Sequence, residues 1–142
     1  MMTYVLDTNT VTAVLKKDAQ VVTRLRSVLA SDSRVLVSAV VYYEITRGLL
    51  WRDAIGLLAA FDRLVASLEW LDVTRTHWSL AAGLWAESRR SGATLDDADL
   101  ILAAQARDEQ AILVTDDKDF DLIDVARENW VIRREPPGDR GN

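Results

Sequence analysis

The sequence predicts an α/β protein, a parallel sheet with helices packed on both of its faces. Short apolar runs of strand length alternate with longer segments whose apolar residues recur at helical spacing. The strand-like runs are apolar almost throughout, as strands covered on both faces are. Acidic residues follow directly on two of these runs, where open parallel sheets bind their ligands.

The elements follow in order. Tyr4-Val5-Leu6 reads as the first strand. Asp7-Thr8-Asn9-Thr10 is a helix-start signature, continued by Val11, Val14 and Leu15. A second helix is expected over 19–30, with Val22, Leu25, Val28 and Leu29 on one side, and Ser31-Asp32-Ser33 turns the chain. Arg34-Val35-Leu36-Val37 is the second strand. Ser38 caps a helix through Val40, Val41, Glu44 and Ile45, and Gly48 marks a break or a close contact. Residues 53–68 read as a helix, because Ala54, Leu58, Phe61, Val65 and Leu68 alternate spacings of four and three. Trp70-Leu71-Asp72-Val73 is the third strand. Residues 76–90 are helical, with Trp78, Ala81, Ala82, Trp85 and Ala86 on one face, and Ser91-Gly92 stops them. Thr94-Leu95-Asp96-Asp97 opens a helix to about Arg107. Residues 111–115 form the fourth strand, a short helix is expected near 122–127, and Trp130-Val131-Ile132 form the last strand.

At 142 residues this is one domain, expected over 1–134, with residues 135–142, rich in Pro and Gly, as a frayed tail. The absence of cysteine excludes disulfides, thiolate metal sites and cysteine nucleophiles. A single histidine, His77, excludes multi-histidine metal sites; beside Trp78 it is expected to pack or to lie at the surface. The five tryptophans are expected mostly in the core, some at a subunit interface. The N-terminus lacks the basic and apolar regions of a signal peptide, and no window has the length of a membrane span; a cytoplasmic protein without membrane contact is expected. The net charge of −5 argues against a general nucleic-acid-binding module, but not against an enzyme that gathers carboxylates in its site.

Acids punctuate the apolar framework at Asp7, Glu44, the 96–99 run and the 116–119 run. Buried carboxylates are costly, and like charges raise each other's pKa, so four meeting in one place require a cation. Asp7 closes a strand and also suits an N-cap. Glu44 has Arg47 at i+3, the pattern of a surface ion pair. Thr94 with Asp97 makes a capping-box pattern, and Asp96 falls in a first turn, where the helix dipole favours an acid. Asp99 has neither role: Leu95, Leu102, Ala103 and Ala106 surround it at helical spacing, with no Lys or Arg to pair it. A metal ion is the best partner for it, with Asp96 assisting from the same face. After Thr115 stand Asp116, Asp117 and Asp119, any of which is a solvated turn residue or a ligand.

Four motifs occur in order: Val-Leu-Asp7-Thr-Asn9; Ser38 leading into Glu44-Ile-Thr-Arg47-Gly48; Asp99-Leu-Ile-Leu-Ala-Ala; and Leu-Val-Thr115-Asp-Asp117-Lys-Asp-Phe120. In this order and spacing the chain resembles the PIN-domain ribonucleases, in particular the VapC toxins of toxin–antitoxin pairs. The resemblance implies a three-layer α/β/α sandwich with a five-stranded parallel sheet in the order 3-2-1-4-5. It implies a magnesium- or manganese-dependent endoribonuclease, with Asp7, Glu44, Asp99 and Asp117 as catalytic acids. Asp7, Asp99 and Asp117 are the implied metal ligands, and Glu44 is a further ligand or orients the attacking water. Asn9 and Thr115 match positions that line the site, while Asp116 and Asp119 compete with Asp117 for the fourth place. The implied partners are RNA, a VapB-type antitoxin whose tail fills the groove, and a second copy in a homodimer. Lys16, Lys17, Arg47 and Lys118 are candidates for holding the RNA backbone.

Two other readings compete. A haloacid-dehalogenase-type phosphohydrolase needs an Asp where Asn9 stands, and a receiver-like domain needs a buried Lys where Lys118 lies in an acidic turn. A non-enzymatic interaction module leaves Asp99 on its apolar stripe unexplained.

Overall fold

The computed structural model describes residues 1–131. Its elements in chain order are β1 (Thr3–Leu6), α1 (Thr8–Leu15), α2 (Ala19–Ala30), β2 (Arg34–Ser38), α3 (Ala39–Trp51), α4 (Ile55–Ala66), β3 (Glu69–Leu71), α5 (Arg75–Arg90), α6 (Asp97–Asp108), β4 (Ile112–Val114), a 3₁₀ helix (Lys118–Leu122) and β5 (Arg127–Glu128). The strands form one five-stranded parallel sheet in the order β3-β2-β1-β4-β5 between helical layers, the architecture that the resemblance implies. No helix among the described residues is long and apolar enough to cross a membrane.

The sheet's centre is its driest part. Val5, Leu6, Leu36, Val37, Leu113 and Val114 are essentially inaccessible to water, and Phe61, Phe120, Leu100 and Leu102 pack over them. At about 25 cal/mol per Å² of apolar surface, such burial is the main stabilising term. Strand order reverses between β1 and β4, which pair in register from Tyr4 with Ile112 to Leu6 with Val114. The next residues, Asp7 and Thr115, therefore emerge side by side at the carboxyl edge. Asp7 N donates to Val114 O at 2.9 Å, which locks this exit.

Several helix ends match the sequence. Asp7 caps α1, Ser38 caps α3, and Gly92, with φ of +79°, ends α5 as the Ala93 N–H reaches back to Ser88 O. Ser38 also donates to Gln105 Oε1 at 2.6 Å, and Gln105 Nε2 reaches Asp72 O at 3.3 Å. These bonds tie the carboxyl end of β2 to α6, which carries Asp99.

Other expectations are corrected. Helix α6 starts at Asp97, with Asp96 as its N-cap residue and no side-chain capping bond, so the Thr94–Asp97 box does not form. Asp99 thus stands in the first turn, which removes one of the reasons for singling it out. No helix forms near 122–127; the turn is the 3₁₀ helix just upstream. β5 is Arg127–Glu128, and Trp130 follows it, packing against Tyr4 with ring centroids 5.7 Å apart. Ile132 and the expected 135–142 tail lie outside the described residues. Gly48 is no break: α3 continues past it, and a Cβ there would meet nothing within 4 Å. Helix α2 buries Val21, Leu25 and Val28 and leaves Leu29 exposed, a face shifted by about one residue.

The largest correction concerns α5. It buries His77, Ala81, Leu84 and Ser88, and leaves Trp78 and Trp85 exposed. Trp51 and Trp70 are exposed as well, so only Trp130 is a core tryptophan. His77 dictates the rotation. Its Nδ1 accepts the Thr74 N–H at 3.0 Å, so Nε2 carries the proton and donates to Asp108 at 2.9 Å. The ring completes a capping box with Thr74 and joins α5 to the far end of α6.

Candidate metal centre at the switch point

Asp7 is the pivot. As N-cap of α1 it is buried, yet all its bonds favour the ionised form: Oδ1 accepts the Thr8 N–H at 2.7 Å, and Oδ2 accepts the Asn9 amide at 2.9 Å and the Thr115 hydroxyl at 2.7 Å. Burial nonetheless pushes its carboxyl above the ordinary range, opposed chiefly by the Thr115 and Thr8 bonds, while the Asp117 charge adds to the rise. Thr115 does three jobs at once. Besides donating to Asp7, its Oγ accepts the Asp117 N–H at 3.0 Å and the Asn9 amide at 3.2 Å. Asn9 Oδ1 in turn accepts the Asp116 N–H at 3.2 Å. One polar knot thereby joins the ends of β1 and β4. Replacing Thr115 with Val removes a donor to a buried carboxylate and an acceptor for two N–H groups. A loss of about 1–3 kcal/mol is expected in urea denaturation.

Helices supply the remaining acids. Asp99 projects from the first turn of α6, above buried Leu102, Ala103 and Ala106. Its carboxyl is pushed up to about 7, first by burial and then by the charges of Asp7, Asp117, Asp96 and Glu44. Those causes place four other acids within electrostatic reach of Asp99. Glu44, half-buried on α3, is likewise raised by burial and by Asp7, and Arg47 opposes the rise. The expected Glu44–Arg47 ion pair is absent among the described residues. The Arg47 guanidinium instead lies over the Tyr43 ring, 5.0 Å from its centroid.

The last cluster divides. Asp99, Asp117 and Asp119 each bring a carboxylate oxygen within 4.8 Å of the other two. Asp117 Oδ1 also caps the 3₁₀ helix through the Asp119 N–H at 2.9 Å. Asp116 is half-buried and faces the polar cleft with Lys118 and Asn129. The ambiguity between Asp117 and Asp119 is thus one of position: both stand at Asp99, and the turn delivers both. Asp7 lies outside this tight triad, but its charge is the largest electrostatic influence on Asp99.

Three concavities open from the acids, each carrying one of the expected cations. Arg47 lines a cavity of about 370 Å³ with Glu44, Asp96, Tyr43 and Trp78. Lys16 lines an apolar groove with Thr8, Glu44, Ile45 and Leu49. Lys118 lines a polar cleft with Asn9, Asp116 and Asp117. Lys17 is exposed and lines none of them. Sequence reasoning missed Tyr43 and Asn129; the Tyr43–Arg47 spacing of four beside a candidate acid was the available signal for the first.

The model of the PIN domain family matches residues 4–126. The chain belongs to the PIN domain family. This membership separates it from the haloacid-dehalogenase-type and receiver-like alternatives. Among solved structures, this PIN domain is similar to VapBC2 from Rickettsia felis, solved bound to a DNA fragment from its promoter. Identity is 25%, the TM-score is 0.85, and the match covers 92% of this chain and 100% of that one. VapBC-1 from nontypeable Haemophilus influenzae has 23% identity and a TM-score of 0.80, covering 91% of this chain and 98% of that one. VapC20 from Mycobacterium tuberculosis, a Sarcin-Ricin loop cleaving toxin, has 21% identity and a TM-score of 0.64, covering 87% and 96%. No protein of curated function matches this PIN domain in sequence.

Proposed function

We propose that this PIN domain is the toxin of a toxin–antitoxin pair, a metal-dependent endoribonuclease that hydrolyses RNA phosphodiester bonds and so inhibits translation. The observation that carries the reading is the gathering of Asp7, Glu44 and Asp117 around Asp99 at the switch point, where burial and then their charges push the Asp99 carboxyl up to about 7. The Sarcin-Ricin loop cleaving activity of the similar VapC20 supports RNA as the substrate.

The donor set fits a hard cation. Three carboxylates converge at Asp99, the chain has no cysteine, and His77 is engaged at the opposite end of α6. Magnesium or manganese suits such a set. Asp7, Asp99 and Asp117 would hold the ion, directly or through water, with Asp119 beside them. A bound divalent cation supplies an activated water and stabilises charge on the phosphate oxygens. Thr115 and Asn9 fix the Asp7 carboxylate so that no reorientation is needed as charge develops. Glu44, with its raised pKa, is suited to orient the attacking water and accept its proton. Asp96 adds negative charge at the rim, and Arg47, Lys16 and Lys118 approach from three sides to hold the phosphate backbone.

The partners are RNA, a VapB-type antitoxin and a second copy of the chain, in the cytoplasm. Toxin–antitoxin complexes among the similar structures support the antitoxin. The apolar groove along Leu15, Ile45, Leu49 and Leu57, which opens beside Glu44, suits its tail. The test is to express the wild type and Asp7→Asn in cells and map new RNA 5′ ends. Cleavage at discrete sites is expected for the wild type alone; identical maps for both would refute an activity seated on Asp7.

A further inference from the structure

Two buried side-chain oxygens among the described residues lack a hydrogen-bond partner, Thr8 Oγ and Thr46 Oγ. The first belongs to the residue after Asp7, and the N–H of that same residue already holds Asp7 Oδ1 at 2.7 Å. A buried hydroxyl without a partner is costly, so valine, of nearly the same shape, would suit the position better unless the oxygen is used. Within a helix a Thr hydroxyl ordinarily bonds the carbonyl three or four residues back. Thr8 is the first residue of α1, so those positions are Val5 and Tyr4, which belong to β1 and pair with β2 and β4 on either side. Glu44 lines the same groove as Thr8, and no ion pair holds it among the described residues. Burial and then the Asp7 charge raise the Glu44 carboxyl, and the Thr8 hydroxyl acts in the opposite sense, which makes the two groups near neighbours.

We infer that Thr8 is a positioning residue of the reaction: its hydroxyl donates to the Glu44 carboxylate and holds it turned toward the attacking water. The inference rests on the ribonuclease reading and adds to it the means by which Glu44 is held. A glutamate side chain has several free torsions, and the charges of Asp7 and Asp96 repel this one. A general base acts only when its carboxylate lies within reach of the proton it removes. Thr8 is a suitable anchor. Its branched side chain has a restricted χ1, and it stands at a helix start whose backbone is tied to Asp7. Closing the contact turns the long Glu44 side chain and leaves the anchor in place. A chain seated in the groove is the competing acceptor for this hydroxyl. Thr8 Oγ is inaccessible from outside, which keeps it from such a chain and leaves it to Glu44.

The test is single-turnover cleavage of total cellular RNA in manganese, over a range of enzyme concentrations. It compares the wild-type full chain, Thr8→Val, Thr8→Ser, Glu44→Gln and the double variant Thr8→Val/Glu44→Gln. Thr8→Val is expected to lower the saturated rate by about 10-fold at an unchanged half-saturating concentration, a part of what a positioned base contributes. Thr8→Ser, which keeps the hydroxyl, is expected to restore most of that rate. In the Glu44→Gln background Thr8→Val is expected to cost nothing further, because the two residues act as one unit. A Thr8→Val protein as fast as the wild type, or losses that multiply in the double variant, overturns the inference. Melting curves in EDTA cover a structural role. Thr8→Val is expected to melt at or above the wild type, since it no longer buries an unmet hydroxyl; a lower Tm accompanied by an equal rate loss in Thr8→Ser also overturns the inference. A manganese thermal shift keeps the two readings apart. A wild type that responds to manganese and cuts RNA no faster than Thr8→Val refutes the role of Thr8 alone, whereas a wild type that neither responds nor cuts refutes the metal-dependent ribonuclease beneath it.

Discussion

Asp99→Asn is expected to lower RNA cleavage by about 100- to 1,000-fold without unfolding the protein, the scale of removing one preorganised electrostatic group from an active site. The side chain keeps its size and its place in the first turn of α6, over Leu102, Ala103 and Ala106. What is lost is a negative charge whose carboxylate lies within 4.8 Å of those of Asp117 and Asp119. Because Asp99 ionises against burial and four neighbouring acids, the Asn variant is expected to melt higher than the wild type in EDTA. A purely structural Asp99 would reverse the stability result, with activity and stability falling together. Single-turnover cleavage and a melting curve on one preparation separate the two.

Metal-free stability is expected to fall as pH rises from about 4 to about 7. The folded-state pKa of Asp99, about 7, lies above its unfolded value of 3.8, and Asp7 and Glu44 shift in the same direction. In this window the folded chain binds more protons than the unfolded one. The stabilisation is fully present below the unfolded value and is lost through the folded one. Asp99 is half-buried, so solvent screening reduces its share to about 1–2 kcal/mol. Urea denaturation in EDTA at pH 5.5 and at pH 8 measures the difference, and Asp99→Asn should flatten it. Stability that rose with pH over this window, in the absence of metal, would contradict the crowding of these acids.

The fold was legible where one residue type carried one message. The apolar runs at 4–6, 34–37 and 111–115 are strands because nothing else accommodates continuous apolar residues of that length between helices. β5 was not legible, since Arg127 and Glu128 pair with β4 through their backbones and carry no apolar signal. Trp130 attracted the strand assignment instead, and it turned out to pack on Tyr4 and beneath Arg24. The α5 face failed for a related reason. Trp78 and Trp85 outweigh His77 on any hydrophobic scale, yet the His77–Asp108 bond fixes the rotation and turns both tryptophans outward.

The acids show the same contrast. Asp7 and Asp99 stood out because apolar neighbours left them few other uses, although the capping argument around Asp99 was misplaced by the late start of α6. The 116–119 run could not be resolved in one dimension. Only the 3₁₀ turn, capped by Asp117 itself, shows that Asp117 and Asp119 both face Asp99. Thr115 and Asn9 carried little signal as residues. Their weight lies in the bonds between the ends of β1 and β4, which span more than a hundred residues of sequence.

The central claim is that these carboxylates form one divalent-metal site, and a manganese titration followed by differential scanning calorimetry tests it most directly. At a metal concentration about a hundredfold above Kd, linkage stabilises the wild type by about 2.7 kcal/mol, or roughly 5–10 °C in Tm for a domain of this size. In Asp99→Asn most of that shift is expected to vanish while the EDTA baseline stays folded. A wild type that does not respond to manganese, or an Asp99→Asn protein that responds as fully as the wild type, would contradict the claim.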